Sequence, residues 1–215
     1  LALQSCTDNL VYTGTDIEVV LTGNTYQAAF TESSPVSTFN SGNQILLNAS
    51  GSLQIDNRIL TYMDNQWKAE NEFSWSDLTG KTNVTAVYPV YPDLDYVQEN
   101  LYKNNSLEDI LYVKDEFPAG NSIHLQFKHL FSLLTLHLEG NLQTYFQKIE
   151  VTCPAVSSII PKSAEIVLAD NGTHTTTIAQ VSPSGNYSFI VPPVGNMVIA
   201  INMVTNGKKY TIQLE

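Results

Sequence analysis

Residues 122–138 read SIHLQFKHLFSLLTLHL, the longest apolar segment of the chain, and its reading as helix or strand decides the fold. The first half alternates: Ile123, Leu125 and Phe127 share one face of an extended chain, while His124, Gln126 and Lys128 share the other. Towards the end Leu134, Leu136 and Leu138 are again in phase. The phase slips between His129 and Ser132, which puts a bend or bulge there. A helix would repeat its apolar positions every three or four residues. Period two at both ends therefore predicts two strands, or one bent strand.

The same pattern extends outward in both directions. Upstream, strand-like runs occupy residues 17–21 and, after a Gly23-Asn24 turn, 26–30. More follow at 44–47 and at 53–55, with a turn at Asp56-Asn57-Arg58 leading into 59–63 and another at Asp64-Asn65 before Trp67. Residues 83–91 (NVTAVYPVY) form an apolar strand ending in prolines, and residues 110–113 form a short one. Between them, residues 92–106 are polar and dotted with tyrosines, which suits a helix or a long loop. Downstream, strands are expected at 148–153, 163–168, 173–181, 187–191, 197–204 and 209–214. Turns at Asp170-Asn171-Gly172, at residues 183–186 and at Asn206-Gly207 separate them, the last being the strongest hairpin signal in the chain. Short strands at this spacing indicate a β-sandwich or barrel. We expect two all-β domains, residues 15–143 and 144–215, meeting near residues 141–146, with residues 1–14 as a signal remnant and tether.

Composition narrows the function. Of 215 residues, 43% are hydrophobic and 14% charged, and the formal net charge is −11. So acidic a chain lacks the clustered cations that displace counterions from nucleic-acid phosphates or bind anionic lipid. Arg58 is the sole arginine. No apolar run approaches the roughly 20 residues of a membrane-spanning helix.

Two cysteines are present. Cys6 follows Leu1-Ala2-Leu3-Gln4-Ser5, an apolar stretch closed by a small residue, which is similar to the end of a bacterial lipoprotein signal in which the cysteine is lipidated. An ordinary N-terminal cysteine, or a disulfide to Cys153, is the alternative. Cys153 sits in a strand-like run and reads as a buried, inert thiol.

Signals for catalysis are weak. The four histidines, His124, His129, His137 and His174, lack metal-ligand spacing and read as satisfied or solvent-facing side chains. Asp93, Asp95, Glu108 and Asp109 lack calcium-loop periodicity. There is no G-x-S-x-G, G-x-G-x-x-G or phosphate-loop motif, so no cofactor is expected. Trp67, Trp75 and Tyr88 suit the first core. Tyr91, Tyr96 and Tyr102 lie in the polar segment and are candidates for contact with a sugar or a protein.

Several features stand in a telling order: Cys6, Trp67, Phe73-Ser74-Trp75, Val84-Thr85-Ala86-Val87-Tyr88-Pro89, the acidic-Leu-Tyr strand from Glu108 to Val113, and Phe127-Lys128-His129-Leu130-Phe131-Ser132-Leu133-Leu134. In this order and over nearly the whole chain from Cys6, the sequence resembles the fimbrillin family of Bacteroides-type (type V) pilus subunits. The resemblance implies two tandem transthyretin-like β-sandwich domains in a non-enzymatic outer-membrane lipoprotein, lipidated at Cys6 and held to the membrane only through that anchor. It implies partners as well: other pilus subunits joined by β-strand donation once a protease removes the first strand, or a host or bacterial surface protein or glycan. Family members matured by an arginine-specific protease carry arginine between the first two strands. Here none lies near residues 22–25, and Arg58 is the only candidate cleavage point. An accessory or tip subunit, or an adhesin, fits this departure better than a shaft subunit. A surface carbohydrate-binding module is the alternative.

Overall fold

The bend anticipated within residues 122–138 is where the chain changes sheets. In the computed structural model the described residues are 9–12, 17–22, 39–64, 66–70, 80–118, 123–138, 146–181, 185–193, 199–205 and 208–214, the first two and last two strands as backbone. The first strands are β1 (Asn9–Tyr12), β2 (Ile17–Thr22), β3 (Gln44–Gly51), β4 (Ile55–Met63), β5 (Gln66–Ala69) and β6 (Thr82–Tyr88). A short helix α1 (Gln98–Leu101) and a small hairpin, β7 (Tyr102–Lys103) and β8 (Ser106–Leu107), precede β9 (Leu111–Phe117), β10 (Ile123–His129) and β11 (Ser132–Leu138). The rest is β12 (Phe146–Ile160), β13 (Glu165–Val181), β14 (Gly185–Val191), β15 (Ile199–Thr205) and β16 (Lys208–Leu214). The protein is all-β, as its alternation requires.

Strand β10 lies between β2 and β9 in an eight-stranded sheet of order β1-β2-β10-β9-β6-β3-β4-β5. After Leu130 and Phe131, both buried, β11 leaves that sheet and pairs antiparallel with β14. A four-stranded sheet, β13-β12-β15-β16, completes the larger elements. Thr205 pairs with Lys208, the register of a two-residue hairpin loop. Asn206 and Gly207 themselves lie outside the described residues. So do Cys6, Gly23-Asn24, residues 26–30, Asn65, Phe73, Trp75 and residues 141–145.

Apolar residues on successive positions of β3 face opposite ways, so the large sheet is covered on both sides. Ile45, Leu47 and Ala49 enter a first core with Val84, Ala86, Val113 and the in-phase Ile123, Leu125 and Phe127 of β10. Phe39 stands edge-on to Trp67, Tyr88 and Phe127, with ring centroids 5.0, 5.4 and 6.0 Å away. Leu46 and Val87 point to the other face, into a second core with Tyr91, Tyr96, Val156, Ile159 and Ile190. β11 lies before residue 143 yet pairs with β14, and this second core joins both halves of the chain. Strand pairing thus changes partner at Leu130–Phe131, ahead of the boundary expected near 141–146.

Two expected turns are instead bulges. Asp56-Asn57-Arg58 lies within β4, where the pairing with β3 shifts between Leu47 and Ala49. The extra residue puts Asn57 at φ 51°, and its N–H donates to Asn48 Oδ1 at 2.8 Å. Likewise β13 runs unbroken for 17 residues. Thr173 pairs with Pro154 and Leu168 with Val156, so residues 169–172 stand opposite Ala155 alone. Asn and Asp tolerate the left-handed region that both turns and bulges use, so composition does not separate the two.

Gly51, at the end of β3, has φ +133°, and an added Cβ would lie 2.5 Å from the carbonyl oxygen of Lys81. A Gly51→Ala variant is expected to lose on the order of 1–3 kcal/mol. At about 2–4 °C per kcal/mol for a chain of this size, the lower melting midpoint is readable by circular dichroism.

Candidate functional site

The second face of the large sheet changes character along its strands. Leu46, Val87 and Tyr112 form one row across β3, β6 and β9. The next row on the same face is Asn48, Thr85 and Lys114, and the one after is Ser50, Asn83 and Glu116. The apolar row is covered by the β12–β13 hairpin. Its turn ends at the first polar row: Thr85 Oγ1 donates to the Lys162 carbonyl at 3.1 Å, and Lys114 Nζ to the Ser163 carbonyl at 3.4 Å. Lys162 Nζ then reaches Asp56 Oδ1 at 2.6 Å, tying the hairpin to the bulge of β4. Beyond it the polar rows form the floor of an open cleft of about 440 Å³.

Most charged groups around the cleft are paired. The Lys162 hydrogen bond, aided by Gln54, holds the exposed Asp56 carboxyl below its ordinary range. Glu116 is paired with Lys81 at 2.6 Å. Asn48 is buried, its Oδ1 is used by Asn57, and its Nδ2 has no hydrogen-bond partner among the described residues. The same is true of Ser163 Oγ. Among the described residues no three His, Cys, Asp or Glu side chains are grouped to hold a metal ion.

The tyrosines singled out from sequence lie elsewhere, and two of them, Tyr91 and Tyr96, are buried. Tyr91 is 5% and Tyr96 2% exposed, with rings packed edge-on at 5.1 Å. Tyr91 donates to Glu108 Oε2 at 2.6 Å, and Tyr96 to the Pro89 carbonyl at 2.8 Å. Burial, the larger influence, and in Tyr91 the Glu108 carboxylate raise both phenols well above their usual range. Tyr102 is half-buried, stacks on His174 at 4.1 Å, and accepts from the Val156 N–H at 3.0 Å. Tyr91 and Tyr96 pack into the second core. The segment is polar because α1 and the β7–β8 hairpin carry it over the sheet like a lid. Asn104 and Asn105, at φ 50° and 63°, form the hairpin turn.

The histidines are dispersed. His124 is on the exposed face of β10; His129 bonds Asp109 at 2.9 Å; His137 bonds Asn186 at 2.6 Å in another sheet. His174 contacts the Asn105 carbonyl at 2.9 Å. Burial pushes the Cys153 thiol up to about 11, which keeps it protonated and unreactive at neutral pH. Arg58 pairs with Leu47 inside β4. No shared cleft was read from the sequence for Asn48, Thr85, Asn83 and Lys162. Their signal was there: on in-phase positions, Leu46-Asn48-Ser50 and Val87-Thr85-Asn83 both pass from apolar to polar.

One margin of the large sheet is made by the N-terminal strands. β1 is antiparallel to β2, with Asn9 opposite Thr22. β2 is parallel to β10, Ile17 beside Ile123 and Leu21 beside Phe127, whereas the other described strand pairs of that sheet are antiparallel. Among the described residues β1 is therefore an edge strand, paired only with β2, and it belongs to the part of the chain furthest in sequence from β10.

No curated protein matches the chain in sequence. Among solved structures, a candidate cell adhesion protein from Bacteroides uniformis aligns over 81% of this chain and 78% of its own, at 11% identity and a TM-score of 0.55. Another from Bacteroides ovatus aligns over 94% of this chain and 87% of its own, at 14% identity and the same TM-score of 0.55. These likenesses are of fold. The sequence itself matches the family model described as fimbrillin-like over residues 29–215, a span that includes both faces of the large sheet and the whole C-terminal part: the chain belongs to the fimbrillin-like family.

Proposed function

We propose that this protein is a non-enzymatic, cell-surface pilus accessory or tip subunit, or an adhesin, that joins other subunits by exchange of an edge strand. The observation that carries this reading is β1, which among the described residues is an edge strand attached to the large sheet only through β2. An edge strand contributes hydrogen bonds along one side, and its removal leaves a row of unpaired N–H and C=O groups. A strand from another subunit replaces those bonds, main chain giving affinity and alternate side chains giving register. On this reading the chain is a bacterial outer-membrane lipoprotein precursor anchored through Cys6, an anchor that is lost with β1 on assembly, and it is organised as two transthyretin-like sandwiches. Partners are other subunits, together with a surface protein or glycan on a host or neighbouring cell.

Maturation on this account does not use a basic-specific protease. Arg58 is the first Lys or Arg in the chain, and it sits inside β4, where cleavage would cut the sheet and not release β1.

The test is surface fractionation of cells producing the full chain, followed by electrophoresis in detergent without boiling. A ladder of detergent-resistant species in the surface fraction is expected. A protein that stays monomeric in every fraction would rule out strand exchange.

A further inference from the structure

We propose that the cleft over the polar rows of the large sheet binds a neutral saccharide, a role independent of strand exchange. The floor is a flat sheet face on which the Ser50 hydroxyl and the Asn83 amide stand opposite each other in register, with the buried Asn48 in the adjacent row opposite Thr85. A sugar hydroxyl both donates and accepts, so it suits a surface on which donors and acceptors interleave. At about 440 Å³ the cleft falls within the roughly 300–1,000 Å³ of small-molecule sites. Asn48 is only 7% exposed, and its Nδ2 is without a partner among the described residues. Buried amide donors are normally satisfied, and an unsatisfied one beside an open polar cleft marks a place for a ligand or water oxygen.

Other ligand classes fit less well. The charges around the floor are largely neutralised in pairs, Asp56 with Lys162 and Glu116 with Lys81, which leaves little net charge to hold phosphates or acidic sugars. Lys162 is already held by Asp56 and Lys114 by the Ser163 carbonyl. The apolar side chains near the cleft, Ala49, Ile55 and Val84, belong to the first core, so an apolar peptide finds no anchor.

The test presents the full chain to an array of neutral and anionic glycans, then titrates the strongest neutral glycan while following side-chain amide resonances. Retention of neutral glycans is expected, with a shift of the Asn48 amide on saturation. Asn83→Ala and Ser50→Ala, both at exposed positions, should weaken binding tenfold or more at an unchanged melting midpoint. Lys103→Ala, on the distant β7–β8 hairpin, should bind as the wild type does. Failure to retain any neutral glycan, binding confined to anionic glycans, or full affinity in both cleft variants would overturn the assignment.

Discussion

Replacing Phe127 with alanine is expected to cost about 3–5 kcal/mol of unfolding free energy, the range for truncating a buried aromatic residue. Phe127 is fully buried in the first core, and its ring lies 6.0 Å from that of Phe39. Phe39 in turn meets Trp67 and Tyr88, so the cavity would open beside a chain of edge-on aromatic contacts. Relaxation is hindered because β10 is paired on both sides, to β2 and to β9. At about 2–4 °C per kcal/mol, the melting midpoint should fall by 6–20 °C. Phe127→Leu, which keeps most of the volume, should cost clearly less. Urea denaturation of the two variants measures the difference, and equal stabilities would mean that position 127 does not fill the core. Leu21 of β2 is the register partner of Phe127. The same variant is therefore expected to speed hydrogen exchange in β2, the strand that carries the N-terminal margin.

Strongly alkaline solution should unfold the protein cooperatively. Burial, first among the influences, raises the phenols of Tyr88, Tyr91, Tyr96 and Tyr102 above their usual values, and the Cys153 thiol to about 11. In the unfolded chain tyrosine releases its proton near pH 10 (about 10.0). The folded state keeps its protons beyond that point, so the unfolded state binds fewer and stability falls as pH rises. Below the unfolded values the contribution is fully present. Each such group removes about 1.4 kcal/mol per pH unit above its unfolded value. Tyr91 and Tyr96 together therefore remove about 3 kcal/mol per unit, which exhausts a stability of about 5–15 kcal/mol within a few units. Phenolate absorbance should rise together with the loss of β circular dichroism. Tyr96→Phe removes one titrating group and the bond to the Pro89 carbonyl, so its stability should be about 1 kcal/mol lower at neutral pH and its alkaline slope shallower. Titration of all eleven tyrosines near pH 10 with the sheets intact would show that these four rings are not buried.

Much of the architecture was legible because period two is a local property. The alternation on either side of His129–Ser132 located both β10 and β11, and the slip in phase located the point where the chain changes sheets. What alternation does not encode is the partner of each strand. The pairing of β11 with β14, and the parallel contact of β2 with β10, depend on residues far apart in the chain. The bulges at Asn57 and Asn171 read as turns because the same residue types serve both. Burial of Tyr91 and Tyr96 was hidden for a related reason: a polar segment covers the second core with its few large side chains turned inward. The cleft needs the register of β3, β6 and β9, together with a lysine from a hairpin turn, so only the apolar-to-polar switch on each separate strand was available to sequence reading.

The decisive observation is the first residue of the chains recovered from detergent-resistant assemblies, read by mass spectrometry. If strands are exchanged at the N-terminal margin, assembled copies begin beyond Tyr12, lack the β1 segment, and were cut at a bond not preceded by lysine or arginine. Assembled copies that all retain residues 9–12 would contradict the account.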